Sequence, residues 1–211
     1  MTVARERLAL PALTLAPRLL GAVLISDIGG SEVALRLTEV EAYAGTSDPA
    51  SHAYRGPTRR NAVMFGPAGY LYCYFTYGMH WCANVVCGDD GEAAAVLMRA
   101  GEVIAGIDAA RERRTSSRAA RDLAQGPARL ATCLGLDGAA NAVDLCDPAS
   151  VVRLESMRAR RHPNIASGPR VGIVAAADRP WRFWLAGDET VSTFKPGGRQ
   201  RRSTTRQTES S

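Results

Sequence analysis

Apolar and polar residues alternate most clearly within residues 69–86, and the alternation predicts a β-hairpin. Side chains two apart on a strand share a face, so the first strand would carry tyrosines on one face and apolar residues on the other. The tyrosine face would hold Tyr70, Tyr72 and Tyr74. The apolar face, which a core would cover, would hold Leu71, Cys73 and Phe75. Tyr77 to His80 would form the turn and place one more aromatic ring at the tip. Such a hairpin either packs against itself or offers a stacking surface.

The strand predicted over Val33 to Tyr43 places two carboxylates beside a tyrosine, because its alternation gives one face to Leu37, Glu39, Glu41 and Tyr43. The other apolar segments predict short helices within residues 4–23, helices over Glu102 to Arg114 and Asp122 to Leu134, and strands over Ala93 to Ala100, Val151 to Leu154, Arg170 to Ala175 and Arg182 to Ala186. Asp48 to Arg60 is a long loop rich in Pro, Gly, Ser and Arg, and loops of this length inside a compact domain are usually functional or mobile.

Tight turns such as Gly88 to Gly91 join successive strands, and long helices do not separate the strands regularly. The predicted fold class is therefore α+β. We expect a curved, mainly antiparallel β-sheet, partly open and barrel-like, flanked by helices in a single compact domain over residues 1–194. Residues 195–211 are polar and basic and predict a disordered tail.

The basic residues are concentrated at the carboxyl end of the chain. The protein carries a net charge of +5, of which the tail contributes +4, since Lys195 and four arginines there face Glu209 alone. Any nucleic-acid surface on the body must therefore come from local arginine clusters. The five cysteines show no CxxC spacing, which indicates buried thiols in a reducing compartment. No segment is long enough for a membrane span, and we expect a cytoplasmic, nucleoid-associated protein.

Lysine is nearly absent, and this excludes several kinds of chemistry. Lys195 is the single lysine, so Schiff-base and P-loop mechanisms have no amine in the body of the chain. His52, His80 and His162 lie far apart, without HExxH or PCxxC motifs, and no GxSxG occurs. We therefore expect no metal site, no cofactor and no hydrolase triad.

Acid–base chemistry remains open for the glutamates of the second strand. Glu39 and Glu41 are either general acid–base groups or partners of an arginine. Arg99 ends an apolar strand, where an arginine needs exposure or an acidic partner. Asn84 interrupts an apolar run, and its amide either pairs with backbone groups or contacts a ligand.

Several ordered motifs between Leu10 and Phe194 resemble the alkyladenine DNA glycosylases, the eukaryotic-type 3-methyladenine or methylpurine DNA glycosylase family. They are TEVEAY at residues 38–43, DPASHAYRGPTRRNAVMF at 48–65, YGMHWCAN at 77–84, VLMRA at 96–100, LAQGPARL at 123–130 and GPRVGI at 168–173. Members flip damaged purines out of duplex DNA and hydrolyse the N-glycosidic bond, which leaves an abasic site.

The resemblance implies a role for each of the matched residues. Glu41 would be the general base that orients the attacking water, which Arg99 and the backbone carbonyl of Val171 would also hold. The flipped base would stack between Tyr43, Tyr74 and His52, with Tyr72 holding the histidine. Asn84 would reject normal guanine, and Tyr77 would fill the gap in the duplex.

The resemblance also implies the partner, which is double-stranded DNA containing damaged purines, bound by a monomer. Phosphate contacts would come from Arg55, Arg59 and Arg60 and from the arginines between residues 111 and 121. Without a lysine in the body, we expect a monofunctional glycosylase with no lyase activity. A non-catalytic module that binds damaged DNA or RNA, and a hydrolase of free nucleosides, are the alternatives.

Overall fold

A computed structural model describes residues 1–76, 78–155 and 164–198, and its secondary structure is that of an α+β protein. The helices are α1 (Ala12–Leu19), α2 (Ile107–Arg113) and α3 (Pro127–Leu134). The strands are β1 (Val23–Ser26), β2 (Val33–Tyr43), β3 (Leu71–Thr76), β4 (His80–Cys87), β5 (Ala94–Ala105), β6 (Val152–Glu155), β7 (Ile165–Gly168) and β8 (Arg182–Leu185).

All described strands belong to one antiparallel sheet that branches at β2. The main path runs β3-β4-β5-β2-β1-β6, so that β5 covers one edge of β2 along most of its length. On the other edge, β1 pairs with the first half of β2, whereas β8 pairs with Glu39 to Glu41 and carries β7. The sheet is not closed into a barrel. The predicted α+β fold with a mainly antiparallel sheet is confirmed.

A β-bulge at Thr38 reverses the facing of β2. Leu37 pairs with Gly101 and Glu39 with Ala100, so Thr38 is the extra residue on its strand. Leu37 consequently packs in the main core, as do Val40 and Ala42 beyond the bulge. The prediction that Leu37 shares a face with the glutamates is wrong, because strict alternation holds only where no residue is inserted.

Strand β5 is longer than its apolar segment indicates. The predicted helix over Glu102 to Arg114 begins only at Ile107, because residues 102–105 pair with Ala34 to Arg36 of β2. Arg36 donates to Glu102 across the two strands at 2.7 Å. Gly106, at φ 71°, then turns the chain into α2.

Three further predictions of elements differ from the structure. The helix predicted from Asp122 begins at Pro127, where proline suits the first helical turn because it lacks an N–H to donate. Residues 170–175 form a loop, and the neighbouring strand is β7. Strand β1 begins at Val23, the last residue of the segment predicted to hold short helices, and no element was predicted for Leu24 to Ser26, since four residues are too few for a distinct alternation.

The hairpin has two differently packed faces, as its alternation predicts. Leu71 and Cys73 belong to the main core, while Tyr72 is buried in a second cluster with Tyr70 and Tyr74 at its edge. Phe75 is the exception, because it is exposed near the tip and packs on Trp81 at 5.1 Å between ring centroids.

Beyond Phe194, the carboxyl-terminal segment still contacts the body of the protein. The backbone N–H of Gly172 donates to the carbonyl of Lys195 at 3.0 Å. The basic segment Arg158 to Arg161 and the rest of the predicted tail, residues 199–211, lie outside the described residues.

Gly101 provides a test of the β2–β5 register. A Cβ atom at this position would lie 2.2 Å from Leu35 Cδ2 and 2.6 Å from the Arg36 carbonyl. We expect Gly101→Ala to lower the free energy of unfolding by about 1–3 kcal/mol, measured by chemical denaturation, because overpacking forces the two strands apart. Gly66→Ala is the control, since its Cβ would meet no atom closer than 3.4 Å. Equal stability of the two variants would contradict the close approach.

Candidate active site

A cavity of about 320 Å³ opens beside the central strands of the sheet. Strands β2, β3, β4 and β5 contribute to its wall, together with the loop after β2, the start of α3 and the loop that follows β7. The cavity brings together residues that are up to 132 positions apart in the chain, Glu41 and Ile173. Eight residues proposed from the sequence for catalysis or base binding line it: Glu41, Tyr43, His52, Tyr72, Tyr74, Asn84, Arg99 and Val171.

Glu41 is a fully buried carboxylate at the cavity wall. One oxygen, Oε1, accepts from the Val171 backbone N–H at 2.7 Å and lies 3.3 Å from Arg99 Nη1. The other oxygen, Oε2, accepts from the Tyr43 hydroxyl at 2.9 Å. The carboxylate is thus held by a backbone group, a phenol and a guanidinium, which fixes its orientation.

Burial sets the acidity of Glu41. Desolvation raises the pKa of the Glu41 carboxyl above its ordinary value of 4.5, and the nearby Glu39 raises it further. Arg99, the Val171 N–H and the Tyr43 hydroxyl act in the opposite direction but do not cancel the effect of burial. A carboxylate with a raised pKa is a stronger base than an exposed one, and such groups are concentrated at functional sites.

Glu39 lies two residues earlier on the same strand and is fully buried, but it does not line the cavity. Its Oε1 accepts from Arg99 Nε at 3.0 Å and from Arg182 Nη1 at 3.1 Å. The Ser192 hydroxyl also donates to Oε1, at 3.0 Å, and the Ser192 backbone N–H donates to Oε2 at 2.8 Å. The structure therefore separates the two glutamates: Glu39 pairs with two arginines away from the cavity, whereas Glu41, which contacts Arg99, lines the open space.

Arg99 connects the two glutamates. Its guanidinium contacts Glu39 through Nε and Glu41 through Nη1. Burial disfavours the charged form, but the two carboxylates outweigh it and raise the pKa of Arg99, so the side chain stays cationic. An arginine at the end of an apolar strand is thereby explained by two acidic partners.

One aromatic wall of the cavity consists of Tyr72, Tyr74 and His52. Nδ1 of His52 lies 3.1 Å from the Tyr72 hydroxyl, and the imidazole packs edge-on against Tyr74 at 4.4 Å between centroids. Desolvation and the positive charge of Arg60 lower the pKa of His52, so its ring is neutral near pH 7. Tyr43 lines the cavity as a further ring.

Asn84 is buried at the cavity wall on β4. Its Nδ2 donates to the backbone carbonyl of Tyr72 at 3.1 Å, which fixes the amide plane. The backbone interpretation left open by the sequence is therefore confirmed, while contact with a ligand stays a prediction for a residue that borders the cavity.

Arg170 and Asp48 were not singled out from the sequence. Arg170 is buried and donates to both carboxylate oxygens of Asp48 and to the Ala42 carbonyl. Its guanidinium packs over the rings of Tyr43 and Trp181, at 4.6 and 5.0 Å from their centroids. Because Val171 follows it directly, Arg170 anchors the loop whose N–H reaches Glu41. The partners lie 122 residues apart, and no local pattern reveals such a pair.

The residues proposed for DNA contact occupy different surroundings. Arg55 and Arg59 are exposed. Arg60 is exposed too, but it packs over the Tyr74 ring at 5.5 Å and donates to the Phe75 carbonyl at 3.0 Å, so part of its hydrogen-bonding capacity is used within the protein. Tyr77, the proposed wedge, lies outside the described residues.

Two searches of the described residues gave no match. Across residues 1–76, 78–155 and 164–198, no group of three or more His, Cys, Asp or Glu side chains is arranged to hold a metal ion. No helix in the same part of the chain has the length and apolar character needed to cross a membrane.

Comparison with known proteins agrees with the resemblance seen in the motifs. Residues 6–189 match the family model of Methylpurine-DNA glycosylase (MPG). The chain is 50% identical over 202 residues to a protein of Streptomyces avermitilis, covering 95% of each chain, and 52% identical over 198 residues to one of Nocardia farcinica, covering 92% of each.

A relative from Mycobacterium tuberculosis is 48% identical over 202 residues, which is 92% of this chain and 95% of that protein. All three relatives carry the name "Putative 3-methyladenine DNA glycosylase". The family match covers the cavity and nearly all of the sheet around it. This chain belongs to the methylpurine-DNA glycosylase family, and is thus a DNA glycosylase of base excision repair.

Proposed function

We propose that this protein is a monofunctional glycosylase that flips damaged purines out of duplex DNA and hydrolyses their N-glycosidic bond. Glu41 is the observation on which the proposal rests: a buried carboxylate with a raised pKa borders a cavity walled by aromatic rings. Such a group can accept a proton from water at neutral pH. The aromatic walls offer the π-faces on which a flat base stacks.

The attacking water would lie between Glu41, Arg99 and the backbone carbonyl of Val171. Glu41 accepts a proton from that water while its negative charge stabilises the positive charge that develops on the sugar. The Val171 N–H already binds Glu41, so the carbonyl of the same residue is left for the water. Arg99 keeps the carboxylate ionised by lowering its pKa.

The extruded base would stack on Tyr43 and Tyr74, with His52 along one side. Stacking alone tolerates every base, so selection comes from groups that meet the base edge. Asn84, fixed by its bond to the Tyr72 carbonyl, would meet the exocyclic amine of guanine and reject it. Tyr77 would fill the space left in the duplex, and arginines including Arg55 and Arg59 would contact phosphates.

Cationic alkylated purines leave without a general acid, whereas neutral bases need protonation. 3-Methyladenine and 7-methylguanine belong to the first class, and hypoxanthine and etheno-adenine to the second. Burial keeps the tyrosines that line the cavity protonated, and His52 is neutral, so these groups supply no strong acid. We therefore propose faster excision of cationic than of neutral lesions.

The binding-module alternative does not explain the buried charges. A module that only stacked bases would need the aromatic wall but not a desolvated carboxylate aimed at the cavity, since such a group costs stability. A hydrolase of free nucleosides would have no use for Arg55 and Arg59, which are exposed on the loop that supplies His52 to the cavity.

A panel of duplexes, each with one lesion, tests the reaction. Without added metal, we expect release of free base from alkylated purines and intact abasic strands that break only after alkali treatment. The strands stay intact because Lys195 is the single lysine of the chain and no lysine amine lies in its body. Strand cleavage without alkali would contradict the monofunctional assignment, and activity on free nucleosides alone would favour a hydrolase of free nucleosides.

Glu41→Gln and Glu39→Gln form a matched pair, the same change at two buried positions of one strand. We expect Glu41→Gln to bind a lesion duplex but to lower single-turnover base release by about 10³-fold or more, because the proton acceptor is lost. Retention of full excision by Glu41→Gln would contradict its assignment as the base.

The same pair should also differ in stability, and here Glu39→Gln should be the more damaging change. Because burial raises the pKa of Glu41 above its ordinary value of 4.5, its ionised form is disfavoured in the native state at pH 7, and Glu41→Gln takes a buried anion from Arg99 alone. Glu41→Gln should therefore lower the thermal midpoint at pH 7 less than Glu39→Gln does. Glu39→Gln leaves Arg99 and Arg182 with one buried anion fewer and should lower the free energy of unfolding by about 3 kcal/mol or more. A larger loss in Glu41→Gln than in Glu39→Gln would contradict the separation of their roles.

A further inference from the structure

Tyr43 contacts the cavity through its ring and the general base through its hydroxyl. The half-buried phenol lies two residues after Glu41 on β2, where side chains share a face. Its hydroxyl oxygen is 2.9 Å from Glu41 Oε2, whereas the other two donors act on Oε1. Tyr43 is thus the group that holds the second oxygen of the carboxylate.

The direction of this hydrogen bond is fixed. Burial, and next the negative charge of Glu41, raise the pKa of the Tyr43 phenol well above its ordinary value of 10. The phenol therefore keeps its proton throughout the working range of pH and donates it to the carboxylate. In a site where the carboxylate must stay ionised, a permanent donor favours the ionised form.

The ring itself is held from behind. The Arg170 guanidinium packs 4.6 Å from its centroid and is fixed by Asp48 and the Ala42 carbonyl. Arg170 is buried and does not line the cavity, so it covers the side of the ring that faces away from the base site. This contact limits the movement of the ring and therefore of its hydroxyl.

We infer that the Tyr43 hydroxyl is a positioning group for Glu41, and that one residue thereby links base stacking to the alignment of the general base. A base pressed against the ring restricts the phenol further, and the phenol in turn restricts the carboxylate. The inference rests on the proposed function and concerns the hydroxyl, which stacking does not require.

The other groups around Glu41 define the controls. Arg99 faces it from β5, Glu39 and Tyr43 from β2, and the Val171 N–H from the loop after β7. Tyr74 of β3 and Cys82 of β4 also lie within electrostatic range. Tyr70 carries a hydroxyl on the same face of the hairpin but packs against Arg5, outside the cavity.

Tyr43→Phe tests the inference because it removes the hydroxyl and keeps the ring. Loss of the donor should raise the pKa of Glu41. In a plot of the single-turnover excision rate against pH, the acid limb, where the rate rises with pH, should therefore move upward by about one pH unit. Well above that limb, where Glu41 is ionised in both proteins, excision should still be about tenfold slower because the carboxylate is less well aligned. Affinity for a lesion duplex should remain within about twofold.

Tyr70→Phe is the matched control and should leave the acid limb, the rate and the affinity unchanged. An unshifted acid limb with an unchanged rate in Tyr43→Phe would overturn the inference. Equal losses of rate and affinity without a shift of the limb would also overturn it, since they would indicate a role in packing alone.

A second measurement does not depend on activity. Titration of the Glu41 side-chain carboxyl carbon by NMR, assigned with Glu41→Gln, should show a higher pKa in Tyr43→Phe than in the unaltered protein. If the titration shifts but the unaltered protein releases no base, the positioning contact is supported and the proposed function is overturned. If the unaltered protein releases base but the two titrations are identical, the proposed function is supported and the positioning inference is overturned.

Discussion

The ion cluster of Arg99, Arg182, Glu39 and Glu41 is the constraint on which the site depends. Two carboxylates and two guanidinium groups, all buried, sum to zero charge, which makes their removal from water tolerable. Glu39 accepts from both arginines and leaves Glu41 with one guanidinium contact. That unequal sharing leaves Glu41 at the cavity wall as a carboxyl group with a raised pKa.

The cluster is possible because three strands meet at one short stretch of β2. Residues 39–41 pair with β5 on one edge and β8 on the other, so each neighbouring strand contributes one arginine. The bulge at Thr38 is equally necessary, since it turns the glutamates away from the core in which Leu37, Val40 and Ala42 pack. A strand without this insertion would bury its carboxylates among apolar side chains or turn the leucine into the site.

Loops complete what the sheet begins. Arg170, held by Asp48, places the Val171 N–H on Glu41 and supports the Tyr43 ring. The chemistry of the site is thus carried by strands, while its alignment depends on a buried ion pair between two loops. This division explains why the long loop after β2 contributes both an anchor and a wall residue, His52, to the same cavity.

The sequence by itself determined the α+β class, the tyrosine face of the hairpin, the near-absence of lysine and, through its motifs, the family. These depend on local periodicity, on composition and on short ordered segments. The sequence could not determine the bulge at Thr38, the extension of β5 to Ala105 or the Arg170–Asp48 pair. The tertiary structure decided these, and it decided which glutamate faces the cavity, because strand pairing and charge pairing join residues more than 50 positions apart.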